Sequence, residues 1–169
     1  MLWRPAYIGL GSNLSNPRRQ VENAFQALAR IADSQLILRS RLWRSRPMGP
    51  QDQPEYVNAA AGLLTTKTPR ELLAELQAIE LRMGKTDPSL RWGPRLIDLD
   101  LLAVSDLQAD EPGLRLPHPG VHQRNFVLYP LAEIAADFRV PGLARVRVLR
   151  DRVSGDGIER LAARGSGDD

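Results

Sequence analysis

Apolar and polar positions change period several times along the chain, and each change marks an element. Residues 5–11 (PAYIGLG) are a short apolar run closing on glycine and read as a buried strand. Pro17 suits a first helical position, with Asn16 or Ser15 as cap. Val21, Ala24, Phe25, Leu28 and Ala32 then recur at helical spacing. Residues 35–46 read as one strand with Leu36, Leu38 and Leu42 on alternating positions, followed by a loop from Pro47 to Pro54 and a further strand over 55–66. Thr68-Pro69-Arg70-Glu71 is a capping box with proline at the first helical position, and Leu72, Leu76, Ile79 and Met83 form the stripe of the helix it starts. Gly84 is its expected stop.

Residues 84–94 show no periodicity and read as a flexible loop. The run Leu96 to Val104 reads as a buried strand, and 105–117 as a hairpin turning at Glu111-Pro112-Gly113. Residues 125–136 predict a helix interrupted at Pro130, 145–150 a strand and 155–164 a short helix. The order β-α-β-β-α-β with C-terminal additions predicts an α+β, ferredoxin-like antiparallel sheet with two helices on one face. No repeat or linker divides the chain, so residues 1–164 are expected to form a single domain and 165–169 a disordered tail.

The strand at 96–104 breaks its own pattern. It places Asp98 and Asp100 two apart within Leu, Ile and Val, hence on one face and about 6.5–7 Å apart along the strand. Two half-buried carboxylates repel and lose hydration, so they stay ionised only beside a strong partner, a metal or an arginine. Oxygen-only ligands on a rigid element suit Mg²⁺. Arg91 and Arg95, just upstream, suit an anionic ligand that brings the metal with it. Metal-assisted phosphoryl-type transfer is the chemistry this points to; the plain alternative is an edge strand with two solvated acids.

Other signals are weaker. Gly9-x-Gly11-Ser12-Asn13 lacks the third glycine of a dinucleotide fingerprint and the Gly-Lys-Ser/Thr of a P-loop, and reads as a tight strand-to-helix turn. His118 and His122 enclose Pro119 and Gly120, which argues against a shared helix face and a zinc site, but leaves a phosphate contact open to His118. Tyr56 and Asn58 alternate on a strand: either a packed ring and a satisfied amide, or a platform and an amide for a flat heterocycle. Gln77 and Glu80 fall off the stripe of the second helix, by default on a solvated face.

Composition adds bounds. In 169 residues, 43% hydrophobic and 25% charged is ordinary for a globular protein. There is no cysteine, which excludes disulfides and thiolate metal sites. No apolar run approaches the roughly 20 residues of a membrane span, and Met1-Leu2-Trp3-Arg4-Pro5 lacks the apolar core of a signal peptide, so a cytoplasmic location is expected. A net charge of +3 fits a small polyanion and is too mild to decide for nucleic acid.

Four strings together carry a resemblance. Gly49-Pro50-Gln51-Asp52-Gln53-Pro54-Glu55-Tyr56-Val57-Asn58-Ala59-Ala60 and Arg91-Trp92-Gly93-Pro94-Arg95-Leu96-Ile97-Asp98-Leu99-Asp100 resemble signature segments of the 6-hydroxymethyl-7,8-dihydropterin pyrophosphokinases. Gly9-Leu10-Gly11-Ser12-Asn13-Leu14 is similar too, as is Pro117-His118-Pro119 running to Arg124-Asn125-Phe126-Val127-Leu128-Tyr129-Pro130-Leu131, all in family order. The resemblance implies a ferredoxin-like fold with extra elements. It also implies transfer of the β,γ-pyrophosphoryl group of ATP to the hydroxymethyl oxygen of the dihydropterin, a step of folate biosynthesis that leaves AMP. By position, Asp98 and Asp100 would hold two Mg²⁺, with Asp98 nearest the attacking hydroxyl. Arg95 and Lys85 join them in the catalytic set. Gln77, Glu80, Arg91, Trp92, Arg95, Arg115, His118 and Arg124 would line the ATP site. Ser45, Pro47, Met48, Tyr56, Asn58, Trp92 and Phe126 would form the pterin pocket, with Tyr56 and Phe126 sandwiching the ring. Partners would be these small molecules, with no nucleic acid and no membrane, and the protein is expected as a monomer.

The chain departs from some members in the loop over the phosphates, where Lys85 stands for a bidentate arginine and Asp87 adds negative charge. Pro119 lacks the ring that some relatives place beside the adenine. Two other readings stay open. A ferredoxin-like RNA-binding module lacks an aromatic RNP-type run here. A catalytically inactive pterin-binding protein would not need Asp98, Asp100 and Arg95.

Overall fold

The computed structural model describes residues 2–46, 54–84 and 96–162. Its core is the expected β-α-β-β-α-β unit. Strand β1 (Arg4–Ser12) pairs antiparallel with both β4 (Tyr56–Thr65) and β5 (Asp98–Val104). The segment expected as one strand over 35–46 is two, β2 (Ser34–Arg39) and β3 (Trp43–Ser45), both pairing with β4. A register shift between Leu36 and Leu38 breaks the alternation. Leu36 packs on the core while Leu38 is exposed over Gly62. The break is held at Ser40, whose amide donates to the Ala60 carbonyl and whose hydroxyl accepts from the Ala60 amide.

Helices α1 (Pro17–Leu28) and α2 (Pro69–Arg82) cover one face of the sheet. They bury Val21, Ala24, Phe25, Leu28, Leu72, Leu76 and Ile79 against Ile8, Leu10, Leu63, Leu99 and Leu101. Asn16 caps α1, and the Thr68/Glu71 capping box starts α2 with both reciprocal bonds present. Ala32 lies beyond the end of α1 and is exposed; Ile31 takes the buried place instead. Gly84, at φ +88°, follows α2 in a conformation that a side chain would strain.

The C-terminal additions cover the second face. There α3 (Asn125–Ala135) and α4 (Val146–Asp151) pack Val127, Leu128, Leu131, Val146 and Leu149 onto Ala60 and Leu102. Pro130 sits inside α3 without interrupting it. The cost is one missing amide donor for the Phe126 carbonyl, and burial of Pro130 among its neighbours holds the helix together.

The two C-terminal elements are the reverse of those expected. Residues 146–150 are helical, after Arg145 in an isolated bridge with Arg139, because Val146 and Leu149, three apart, are the buried pair. The segment 155–164 supplies a strand, β8 (Ile158–Arg160), which adds antiparallel to β3. The hairpin β6 (Ala109–Glu111) and β7 (Leu114–Leu116) turns at Gly113 as expected. Sheet order is β5-β1-β4-β3-β8, with β2 also on β4.

Candidate functional site

The α3 face of the sheet is open at one end, and register decides what lies there. Asp98 and Asp100 stand opposite Gly11 and Gly9 of β1. On its other side β1 sets Gly11 opposite Asn58 and Gly9 opposite Ala60 of β4. Asp98, Gly11 and Asn58 therefore form one row across three strands, about 10 Å from end to end at two interstrand spacings. The Gly9-x-Gly11 pair is not a strand-to-helix turn, as expected, but the middle of that floor, inside β1.

Neither glycine is demanded by protein packing. A Cβ on Gly9 would lie 3.5 Å from Leu102, and one on Gly11 3.4 Å from Asn58 Oδ1 and 3.7 Å from Tyr56 Cδ1, all ordinary contacts. What these glycines provide is an unobstructed floor, over which the cleft opens to about 640 Å³.

One wall of the cleft is β4 and β3. Asn58 and Ser45 are each 3% exposed. Asn58 Nδ2 donates to the Ser45 hydroxyl at 2.7 Å, which leaves its Oδ1 as the acceptor over Gly11. Tyr56 lies two residues before Asn58 on the same face, by strand alternation. The opposite wall is the start of α3, where Arg124 and Phe126 line the same cleft as Asp98, Asp100, Tyr56 and Asn58. The Arg124 guanidinium lies 5.9 Å from the Phe126 ring centroid, within cation–π range.

Asp100 is shared with a second hollow of about 620 Å³, where it meets Arg115, His118 and Pro119. The His118 amide donates to the Leu102 carbonyl at 2.9 Å, fixing this segment to β5. Its Nδ1 accepts from the Gly120 amide at 3.1 Å, so in the neutral ring Nε2 carries the hydrogen and is the donor. Burial pushes the imidazole below its ordinary pKa; the Asp100 charge opposes this and Arg124 adds to it. Arg115 is largely exposed, 3.5 Å from Asp110.

Glu80 corrects the expectation of a solvated helix face. It is only 6% exposed, and its Oε2 accepts from the Leu99 amide, between the two aspartates, at 2.9 Å. Gln77 is exposed on α2. Pro47, Met48, Lys85, Arg91, Trp92 and Arg95 lie outside the described residues, as does the loop expected over 84–94 apart from Gly84.

Several residues at the site were not singled out from sequence. Arg46 lines the cleft beside Ser45. Asn13, almost fully buried at the end of β1, donates to the Pro54 carbonyl at 3.1 Å and so ties down the start of the Tyr56 strand. The period-two spacing of Gly9 and Gly11, matching that of Asp98 and Asp100, was the signal for the floor.

Among the described residues no group of three or more His, Asp or Glu could hold a metal. A pair of carboxylates does fit Mg²⁺, which keeps several waters and takes its other ligands from substrate phosphates. A buried acceptor and the Tyr56 ring at one end of the floor, two carboxylates at the other, and Phe126 on the α3 wall suit a flat polar heterocycle whose reacting arm reaches a metal-bound polyphosphate.

Comparison with known proteins gives the family and the fold. The family model of the 7,8-dihydro-6-hydroxymethylpterin-pyrophosphokinases matches residues 7–136. A Pseudomonas aeruginosa protein named 2-amino-4-hydroxy-6-hydroxymethyldihydropteridine pyrophosphokinase is 45% identical over 155 residues, 92% of this chain and 95% of that one. A Haemophilus influenzae protein of the same name is 43% identical over 136 residues, covering 80% and 84%. A solved Plasmodium falciparum HPPK-DHPS chain with pteroate superposes with a TM-score of 0.71 at 13% identity, over 89% of this chain. The match spans 44% of that longer chain, and at this identity it shows a shared fold.

Proposed function

The chain belongs to the 7,8-dihydro-6-hydroxymethylpterin-pyrophosphokinase family, and from that premise we propose how its cleft does the family's work. The protein transfers pyrophosphate from ATP to the hydroxymethyl group of 6-hydroxymethyl-7,8-dihydropterin, giving AMP and the pterin diphosphate, in folate biosynthesis. The observation that carries the site assignment is the row Asp98–Gly11–Asn58, which links a heterocycle-reading amide to a pair of acids across a bare strand.

In this reading the pterin lies between Tyr56 and Phe126. The Asn58 Oδ1 accepts from its ring N–H groups, and Ser45 holds the Asn58 amide in that orientation. The hydroxymethyl arm then points over Gly11 towards Asp98. Asp98 is the acid placed to take the hydroxyl proton as the oxygen attacks the β-phosphorus and AMP leaves. Arg124 and the Nε2–H of His118 meet the anionic nucleotide from the α3 side, and Arg115 from the hairpin. Two Mg²⁺ ions held by Asp98 and Asp100 would neutralise the transferred group and orient nucleophile and leaving group. Gln77 and Glu80 on α2, and Lys85, Arg91, Trp92 and Arg95 before β5, complete the proposed ATP site. Pro47 and Met48 complete the pterin pocket.

The protein is proposed to act as a cytoplasmic monomer on these small molecules, without nucleic acid; no helix among the described residues is long and apolar enough to cross a membrane. Family membership favours the enzyme over the RNA-binding alternative. The deciding assay supplies Mg-ATP and the hydroxymethyldihydropterin and identifies the nucleotide product. Stoichiometric AMP is expected. ADP would mean transfer of a single phosphoryl group, and no turnover would favour an inactive pterin binder.

A further inference from the structure

The two walls of the cleft belong to different parts of the chain. Ser45 and Arg46 close β3, whereas Arg124 and Phe126 open α3. Away from the cleft these elements touch directly. The Trp43 ring packs edge-on against Tyr129 at 5.7 Å, and Trp43 Nε1 donates to Glu133 at 2.6 Å. At the cleft itself they are joined by a third segment, the turn 154–157 leading into β8.

That turn is bonded on both sides. Asn125 Nδ2 donates to the Ser154 carbonyl at 2.9 Å and to the Asp156 carbonyl at 3.0 Å. On the other side the Arg46 amide donates to the Gly157 carbonyl at 3.2 Å, and β8 continues along β3 with Ile158 opposite Ser45. Glu159 adds an ion pair to Arg44. The turn is shaped for this place. Gly157 has φ +76°, and a Cβ on Gly155 would lie 2.8 Å from the Tyr129 hydroxyl, too close to tolerate without a shift. Asn125 is the first residue of α3, yet the start of that helix has no side-chain cap. Both hydrogens of its amide go to the turn instead. A carboxylate of the same shape has no hydrogen to give two carbonyls.

We propose that residues 154–160 brace the pterin cleft, and that Asn125 is the positioning residue through which they set the distance between the Ser45 and Phe126 walls. The proposal rests on the pterin reading of the cleft. Without the Asn125 bonds α3 keeps its packing on the sheet and its contacts with Trp43, but its first residue loses the tie to the turn, and the gap a flat ring must fill is less tightly set. Pterin binding should suffer, while the aspartates, on β5 at the far side of the floor, keep their geometry.

The test uses the full chain with Asn125→Ala, Asn125→Asp and Gly157→Ala. Asn125→Ala and Asn125→Asp should raise the pterin KM and the calorimetric Kd for 6-hydroxymethylpterin by about tenfold. kcat at saturating pterin should stay near the parental value, and the Kd for a Mg-bound non-hydrolysable ATP analogue should rise clearly less than the pterin Kd, since of the proposed nucleotide contacts only Arg124 shares the start of α3. Gly157→Ala disturbs the same brace from its other end, so its effect on pterin Kd should add less than fully to that of Asn125→Ala. Parental pterin affinity in Asn125→Ala would overturn the brace, as would equal weakening of pterin and nucleotide, or full additivity with Gly157→Ala. AMP production by the parent tests the pterin reading separately, so failure of one is distinguishable from failure of the other.

Discussion

The Glu80 carboxylate accepts a hydrogen bond from the Leu99 amide at 2.9 Å, so helix α2 grips β5 at the residue between the two aspartates. Strand alternation turns Leu99 into the core and Asp98 and Asp100 out over the cleft, so anything that holds Leu99 sets the aim of both acids.

Glu80→Ala should therefore lower stability, since it leaves a buried amide without its acceptor, at about 1–3 kcal/mol. It should also lower kcat more than it weakens pterin binding, because the displaced groups are the acids and not the Tyr56 side of the cleft. Chemical denaturation and steady-state kinetics on the same preparation check both. Parental kcat in a destabilised but folded Glu80→Ala would mean that the grip does not reach the acids.

Gly11→Ala tests the bare floor. The added methyl meets only Asn58 Oδ1 at 3.4 Å and Tyr56 at 3.7 Å, so the fold should hold with little change in Tm. It would, however, stand where the bound ring passes towards Asp98, and crowding of this kind costs about 1–3 kcal/mol. Calorimetry should show that loss for 6-hydroxymethylpterin, with nucleotide binding nearly unchanged. Unchanged pterin affinity would place the ring elsewhere in the cleft.

How far the sequence could be read follows from where each signal resides. Asp98 and Asp100 were legible because period two within an apolar run fixes their face without any partner. The capping box at Thr68 and Glu71 is equally local. Gly9 and Gly11 were misread because their meaning depends on strands pairing to either side. Glu80 was misjudged because helical period describes one face, whereas β5 arrives against another side of α2. The segments 145–150 and 155–164, which read as strand and helix, supply a helix and a strand instead. Arg145 to Arg150 alternates in polarity like a strand, and only the packing of Val146 and Leu149 decides for a helix. The paired bonds from Asn125 to the 154–157 turn have no signal in sequence, since both acceptors are backbone carbonyls 29 and 31 residues away.

A pH-dependent prediction comes from the start of α2. The Thr68 amide and hydroxyl hydrogen-bond Glu71 and lower its pKa from the ordinary value of 4.5, with nearby Lys67 adding to the effect. A carboxyl whose pKa is lower folded than unfolded stabilises the fold above its unfolded pKa, and that contribution is lost as pH falls through the folded one. The stability difference between the parent and Glu71→Gln should therefore be largest near neutral pH and shrink below the ordinary value of 4.5. Thr68→Ala should cost about 1 kcal/mol at neutral pH through loss of the cap. Thermal unfolding at a series of pH values reads both; a Glu71→Gln difference that grows on acidification would contradict the sign.

The last prediction separates the two aspartates. Both stand on the cleft floor, but only Asp100 also borders the hollow that holds Arg115 and His118. That hollow carries a guanidinium, Arg115, and the imidazole donor suited to a nucleotide, whereas Asp98 stands beside Gly11 and the proposed hydroxymethyl arm. Asp98→Asn and Asp100→Asn should each remove turnover, since either loses a charge needed to hold the metal-bound polyphosphate. Their binding defects should differ. Asp100→Asn should weaken a Mg-bound non-hydrolysable ATP analogue markedly, while Asp98→Asn should bind it closer to the parent and fail at the chemical step. Removing the Asp100 charge also relieves repulsion between two carboxylates on one strand face, so ligand-free Asp100→Asn should unfold at or above the parental Tm. Calorimetry with the analogue and Mg²⁺, set beside single-turnover measurements of AMP formation, distinguishes the roles. A larger loss of nucleotide affinity in Asp98→Asn than in Asp100→Asn would reverse the assignment and move the nucleotide to the Asp98 end of the floor.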